Sequence, residues 1–376
     1  MRLLHLYSGN LFGGIERVLV TLASSPIDPG VQQHFALFFE GRLAYELRAA
    51  KARLEIVGRV SLSRPWQVIQ ARRRIESVLE RVRPDIILAH SPWVLAVAGG
   101  SIRRSTARSA LWLHNPPTGR LWPDGLALRR PSRLHAILAN SRYTADTTAP
   151  LTRMDGWIHP PVARPPEVSG SARDETRQRL GADPADVVIL QASRIERWKG
   201  LHVQIAALAL LRDVPGWVLW IAGAPQRRHE RVYLQHLQGE TTRAGIGDRV
   251  RFLGHRDDVP GLMAAADLYS QPNIEPEPFG VALVEAMWAA RPVITSAVGG
   301  LSSEIEGRTG LVVPPNDTEA LASALRELVT APSLRHALGS QGPALAARLC
   351  DPAQQVRRLW RALQTDGRAS GPAGAG

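Results

Sequence analysis

At 376 residues, 44% of them hydrophobic, the chain exceeds what one core usually supports, so two domains of ordinary size are expected. Its single cysteine, Cys350, excludes an intramolecular disulfide and a cysteine-rich metal site, and the lack of any unbroken run of about 18 apolar residues argues against a membrane-spanning helix. The net charge of +12 is uneven, because residues 1–165 hold 23 Lys plus Arg against 11 Asp plus Glu while residues 166–376 hold 23 against 23; this points to an anionic partner for the first half, whether a membrane surface, a nucleic acid or a phosphorylated substrate.

The first apolar run, Leu3 to Tyr7, is strand-length and flows into a glycine-bearing loop, so no signal peptide and a cytoplasmic location are expected. The runs "RLLHLY", "HFALFF", "PDIILAH", "SALWLHN", "LHAILANS" and "GWIHPPV" read as strands, with helical patterns between them at 15–24, 42–53, 65–83, 92–102 and 141–150. Such alternation predicts a parallel sheet with helices on both faces. The stretch "HPPVARPPEVSGSARDE", with four prolines and a Gly-Ser pair, reads as a linker. The alternation then restarts with "VVILQAS", "WVLWIAG", "RVRFLG", "ADLYSQP", "RPVITSA" and "GLVVPP".

The expected fold class is thus α/β, two doubly wound, Rossmann-like parallel-sheet domains facing a cleft, with ligands beyond the carboxyl ends of the strands. The expected divisions are a domain over 1–165, a second over 166–350, a helix over 351–365 packing back toward the first domain, and a disordered tail over 366–376.

The chain's only lysines are Lys51 and Lys199, in a composition otherwise given to arginine. A compact ammonium at 199 suggests a site that Arg's planar fork would not suit. Arg194 follows the strand "VVILQA", and Lys199 precedes a helix that starts near Gly200. Two cations beside a helix N-terminus meet the wrong sign of dipole, a conflict that an anion such as a diphosphate would relieve. The alternative for either residue is a solvated surface charge.

In "NIEPEPFGVALVEAMWAARPVI", Pro278 and Gly280 mark a loop entering a helix on which Glu285 shares a face with Val281, Val284 and Trp288. A carboxylate there needs a partner: a neighbouring cation or amide, or the vicinal hydroxyls of a ribose. Glu277 lies in the loop just before the helix, where it either complements the dipole or helps to bind a ligand.

Together these segments resemble the retaining nucleotide-sugar glycosyltransferases of family four, which have the GT-B fold. "SRIERWKG" is similar to the phosphate-binding segment of that family and "EPFGVALVE" to its E-x7-E element, while "GNLFGGIERVL", "LANSRYT", "IAGAP" and "FLGHRDDVPGLMAAADLYSQP" extend the resemblance over nearly the whole chain. The resemblance makes 1–165 the acceptor-side domain and 166–350 the nucleotide-sugar-binding domain. It implies that Arg194 and Lys199 hold the donor diphosphate, Glu285 the ribose hydroxyls and Glu277 hydroxyls of the transferred sugar, with Phe279, Gly280 and Val281 near the sugar and phosphate. By the same carry-over Gly13 and Gly14 admit the donor phosphate or acceptor, with an ordinary tight turn as the alternative, and His114 contacts the donor sugar and counts with Arg194, Lys199 and Glu277 as catalytic. His90, ending "DIILAH", has the same placement as His114.

The chain departs from the family where Ala290 replaces a common glycine before "xPV". No D-x-D triplet occurs, so no metal and no cofactor are expected, the UDP- or GDP-sugar being a substrate. The implied activity is hexosyl transfer with retention onto a saccharide or lipid-linked saccharide, in polysaccharide or glycolipid assembly. The alternatives are a catalytically silent sugar-nucleotide-binding scaffold at a membrane and a GT-B epimerase or phosphorylase. On the helix at 65–83, Val68, Ala71, Ile75, Val78, Leu79 and Val82 form an apolar stripe opposite Arg73, Arg74 and Arg81. With Arg103, Arg104, Arg108, Arg129 and Arg130, that face suggests peripheral contact with an anionic membrane surface; nucleic acid is not expected, for no binding module accompanies the charge.

Overall fold

The computed structural model describes residues 1–10, 12–27, 30–117 and 134–365. The chain divides into two compact units, one comprising Met1–Ala163 with Cys350–Gly376, the other Arg164–Leu349.

The first unit runs β1 Arg2–Tyr7, α1 Gly14–Ser24, β2 Gln32–Leu37, α2 Arg42–Ala49, β3 Arg53–Ile56, α3 Pro65–Val82, β4 Ile86–Ala89, α4 Pro92–Arg104, β5 Arg108–Leu113, β6 Ala136–Ala139, α5 Arg142–Thr148 and β7 Gly156–Trp157. Its strands form one parallel sheet in the order β3-β2-β1-β4-β5-β6-β7. The central strands are mostly apolar because helices cover both faces, and β4 and β6 are buried at every residue. On α3 the expected stripe turns inward, with Ala71, Ile75, Val78, Leu79 and Val82 buried.

The expectation of a helix over 42–53 is corrected. The helix stops at Ala49, and Lys51 adopts a left-handed φ of 55° that breaks it. Arg53–Ile56 then adds an edge strand to β2, its alternating polar and apolar side chains suiting a half-covered position. The linker is also shorter than expected. Ser169 accepts a hydrogen bond from the Ala172 amide at 3.3 Å and so caps a helix, α6 Gly170–Arg179, within the segment read as linker.

The second unit continues from α6 with β8 Val187–Ala192, α7 Leu201–Ala209, β9 Trp217–Ala222, α8 Arg228–Arg243, β10 Val250–Gly254, α9 Val259–Ala265, β11 Leu268–Gln271, α10 Val281–Trp288, β12 Val293–Ser296, α11 Ser302–Ile305, β13 Gly310–Val313, α12 Thr318–Thr330, α13 Pro332–Ser340 and α14 Gly342–Cys350. Its parallel sheet is ordered β10-β9-β8-β11-β12-β13. Trp217 is enclosed in its core, and its indole N–H donates to the Leu211 carbonyl at 3.1 Å.

The last helix, α15 Pro352–Gln364, belongs to the first unit. Arg108 donates to the Gln364 carbonyl at 3.0 Å, which ties the helix end to the start of β5. The tail over 366–376 lies outside the described residues.

In both sheets the strand order reverses about one adjacent pair, β1 with β4 and β8 with β11. The loops leaving those strands are where an open parallel sheet gathers a ligand.

Candidate functional site

The loops after β8 and β11 carry Arg194, Lys199 and Glu277. After β8 the chain turns through Ser193 and Arg194 into a short 3-10 turn, Arg197–Lys199, and enters α7 through Gly200. Gly200 has φ 72°, and a Cβ there would lie 1.8 Å from the Pro272 carbonyl oxygen, so only glycine lets the two loops meet. The Lys199 ammonium forms an ion pair with the Glu277 carboxylate, both side chains mostly buried. It also lies 3.9 Å from the centre of the Trp198 ring. Arg194 pairs with Glu196 at 2.9 Å, and Trp198 donates to Glu196 Oε2 at 2.7 Å. The two cations near the helix start are thus each paired with a protein carboxylate, Arg194 with Glu196 and Lys199 with Glu277.

Two buried glutamines hold these groups. Gln191 donates from Nε2 to the Lys199 carbonyl at 2.9 Å, and Gln271 donates to Glu277 Oε2 at 3.1 Å. Tyr269 in turn donates to Gln271 Oε1 at 2.8 Å. Burial drives the Tyr269 hydroxyl well above the usual phenol range, with the charges of Glu285 and Glu277 adding to the shift. Both carboxylates therefore act on one neutral phenol. Glu277 is further fixed by Gly299, whose φ is 123° and whose hypothetical Cβ would come within 2.2 Å of the Glu277 carbonyl oxygen, and by the Gly300 amide, which donates to that oxygen at 2.9 Å.

Gly280, with φ 95°, turns the chain into α10, whose first residue is Val281. Phe279 is buried beside it. The first amides of a helix have no intrahelical acceptor, so the turn presents N–H groups and the positive end of the dipole. Leu283, Val284, Ala286 and Met287 form the fully buried face of α10, whereas Val281, Glu285 and Trp288 are half-buried. Of the apolar residues expected to share the face of Glu285, only Val284 is fully enclosed. The i, i+4, i+7 row borders the buried face rather than centring it.

At the far end, Ala290 donates to the Met287 carbonyl and Arg291 to the Ala286 carbonyl, each at 3.0 Å, the hydrogen bonds of a Schellman cap. Ala290 has φ 56°. A glycine before "xPV" would take that conformation without a Cβ penalty.

In the first unit, Gly13 precedes α1 with an extended φ of −168°, and a Cβ there would meet nothing closer than Glu16 Oε2 at 3.6 Å. Neither conformation nor crowding within the chain requires that glycine. Gly14 is the exposed first residue of α1. His114 stands at the end of β5, 5% exposed, with Asn140 donating to its carbonyl at 2.8 Å. His90 Nδ1 lies 3.0 Å from His114 Nε2, His90 Nε2 lies 2.9 Å from His5 Nδ1, and His5 Nε2 lies 3.1 Å from Gln33 Oε1. Burial lowers the His5 pKa to about 4 and that of His114 to about 3, and places His90 well below the ordinary imidazole range.

Sequence reading missed His5, Gln33, Glu196, Gln191, Gln271 and Gly299. The signal available was an amide or imidazole in an otherwise apolar strand, as in "RLLHLY", "VVILQA" and "LYSQ".

The basic face is less open than the charge count suggests. Arg81 pairs with Glu55 at 2.8 Å, Arg104 pairs with Glu76, and Arg74 donates to the Val57 carbonyl at 2.9 Å. Arg129 and Arg130 lie outside the described residues. Among the described residues no helix is long and apolar enough to cross a membrane.

Comparison with known proteins bears on both units. The family described as Glyco_transf_4, Glycosyltransferase Family 4, matches residues 12–162, and Glycosyl transferases group 1 matches residues 172–344. The chain is 28% identical over 349 residues to the lipopolysaccharide core biosynthesis glycosyltransferase LpsE of Rhizobium meliloti, covering 91% of this chain and 93% of that protein. It is 34% identical over 204 residues to a D-inositol 3-phosphate glycosyltransferase of Corynebacterium urealyticum, a match spanning 52% of this chain and 47% of that longer protein. Among solved structures, Anabaena Alr3699/HepE in complex with UDP and glucose superposes with a TM-score of 0.84 at 25% identity, covering 97% of this chain and all of that one. With two parallel-sheet units and a match in each half, the chain belongs to glycosyltransferase family four, group 1 type, with the GT-B fold.

Proposed function

We propose that this protein transfers a hexosyl group, with retention, from a UDP- or GDP-sugar to a saccharide acceptor in the assembly of a polysaccharide or lipopolysaccharide. The observation that carries the reading is the convergence of Arg194, Lys199, Glu277 and the start of α10 on the loops that leave β8 and β11.

Breaking the bond between the anomeric carbon and the diphosphate oxygen leaves its electron pair on the diphosphate. Arg194, the Lys199 ammonium and the first amides of α10 are the groups suited to stabilise that charge. An ammonium has three N–H donors, of which Glu277 takes one. Glu277 thereby aims the remaining donors and offers its other oxygen to hydroxyls of the transferred sugar. Glu285 accepts hydrogen bonds from the two ribose hydroxyls. The acceptor hydroxyl attacks from the face that the diphosphate leaves, its oxygen bonding to the anomeric carbon and its proton passing to a diphosphate oxygen. The step is balanced without a metal ion, as the lack of a D-x-D triplet also suggests.

Relatives support the substrate class: the HepE structures hold UDP, UDP-glucose, or UDP with glucose, and LpsE is named for lipopolysaccharide core biosynthesis. The test is a thermal-shift panel of UDP, GDP and their hexose conjugates, followed by turnover of the stabilising donor with and without EDTA. One nucleotide series is expected to raise the melting temperature, with an unchanged rate in chelator. No stabilisation by any member overturns the donor reading, and loss of activity in EDTA restored by magnesium or manganese overturns the metal-free step.

A further inference from the structure

Three of the buried histidines of the first unit, His5, His90 and His114, lie with Gln33 on or at the ends of four neighbouring strands and run diagonally across one face of the sheet. In the parallel register His5 stands opposite Phe35 and Leu88, and Leu88 opposite Ala110. Gln33 lies two residues before Phe35, His90 two after Leu88, and His114 four after Ala110. Each step from β2 to β1, to the end of β4 and to the end of β5 therefore moves two residues toward the carboxyl edge. Even spacing keeps all four side chains on the same face.

One end of the row sets its polarity. Gln33 Nε2 donates to the Leu22 carbonyl at 2.8 Å and to the Ser25 carbonyl at 3.0 Å, using both amide hydrogens and leaving Oε1 as an acceptor. His5 Nε2, 3.1 Å away, must then carry the proton, and neutral His5 can only accept at Nδ1. His90 therefore donates from Nε2 to His5 and accepts at Nδ1, and His114 donates from Nε2 to His90. His114 Nδ1 is left as a lone pair at the carboxyl edge of β5, with no hydrogen-bond partner among the described residues. The ring nitrogens pair in sequence and do not converge, and no metal-holding group occurs among the described residues.

We propose that Gln33, His5 and His90 are positioning residues that hold His114 as the neutral Nε2–H tautomer, making its Nδ1 an obligatory acceptor for a hydroxyl of the substrate. The substrate end of this statement rests on the glycosyl-transfer reading; the tautomer does not. Burial keeps the row uncharged at neutral pH. A positive imidazolium at His114 would present a donor at Nδ1 and lose the selectivity for a hydroxyl hydrogen.

The test is nitrogen-15 histidine NMR of the whole protein, together with kinetics on UDP-glucose and GDP-mannose. In the native protein all three histidines should show a protonated Nε2 and a bare Nδ1 at pH 7. His5→Phe keeps a flat ring against Phe35, which the imidazole stacks on at 4.6 Å, but removes the acceptor for His90. It should mix the His90 and His114 tautomers and lower kcat/KM about ten-fold. His5→Asn, whose Oδ1 can replace Nδ1 as acceptor, should restore the native shifts and bring the rate back to within about two-fold. A protonated Nδ1 on native His114, or His114 shifts unmoved in His5→Phe, overturns the proposal. If neither donor turns over, the donor reading fails while the nitrogen shifts still decide the tautomer; should His5→Phe not fold, the native spectrum decides it alone.

Discussion

The Lys199 ammonium is paired with the Glu277 carboxylate across the gap between the loop after β8 and the loop after β11. If that ammonium stabilises a departing diphosphate, Lys199→Ala should lower kcat/KM by about a hundred-fold or more. Lys199→Arg should recover only part of the loss, since a planar guanidinium cannot present the same three donors. The check is steady-state kinetics on the donor found by thermal shift; native rates in Lys199→Ala would remove the residue from the mechanism.

Glu285→Gln keeps the size of the side chain and removes its charge. Hydrogen bonds from ribose hydroxyls to a charged acceptor are among the stronger ones, so nucleotide affinity should fall by about ten-fold or more while the melting temperature without nucleotide stays near native. Calorimetric titration with the free nucleoside diphosphate measures this directly. Equal affinity in the variant would leave Glu285 as a structural carboxylate only.

Acid stability follows from the histidine row. His5 and His114 have folded pKa values of about 4 and about 3, below the ordinary 6.5, because burial disfavours the cation. A depressed value means that the unfolded chain binds protons which the folded chain refuses. The contribution is fully present above pH 6.5 and is lost as the pH falls toward the folded values, at about 1.4 kcal/mol per pH unit for each histidine. Urea denaturation at pH 7, 6 and 5 should show this decline, and His5→Asn should make it shallower.

Two glycine experiments have opposite signs. Ala290→Gly removes a Cβ from a left-handed residue at the Schellman cap of α10 and should stabilise by about 1 kcal/mol. Gly200→Ala forces a Cβ against the Pro272 carbonyl and should cost roughly 3 kcal/mol. Thermal melts of the two variants beside the native protein check both.

The alternation of apolar runs with helical patterns was enough to foresee two parallel sheets, because strands covered on both faces read as near-continuous apolar runs rather than alternating ones. The edge strand β3 was not foreseen: Arg53–Ile56 is half polar and follows directly on a helix. Arg194, Lys199 and Glu277 were legible as loop residues for the same reason that the strands were, since each follows the end of an apolar run. Their pairing was not. Arg194 meets Glu196 within one loop, but Lys199 meets Glu277 only through the approach of two loops 78 residues apart in sequence. Likewise His5, His90 and His114 read as isolated strand histidines until the register sets them in one row.

The scarcity of lysine has a practical consequence. Only two side chains in the entire molecule bear a primary amine, and they differ sharply in setting: Lys51 is exposed on the turn before β3, whereas Lys199 is largely enclosed beside Trp198 and Glu277. Apart from the α-amine of Met1, an amine-selective reagent therefore gives only a surface label at Lys51 and a label at Lys199, all of which mass spectrometry separates by peptide. The ratio of the two is an intrinsic gauge of access to the β8 loop, with the Lys51 signal as its internal standard and no engineered reporter required.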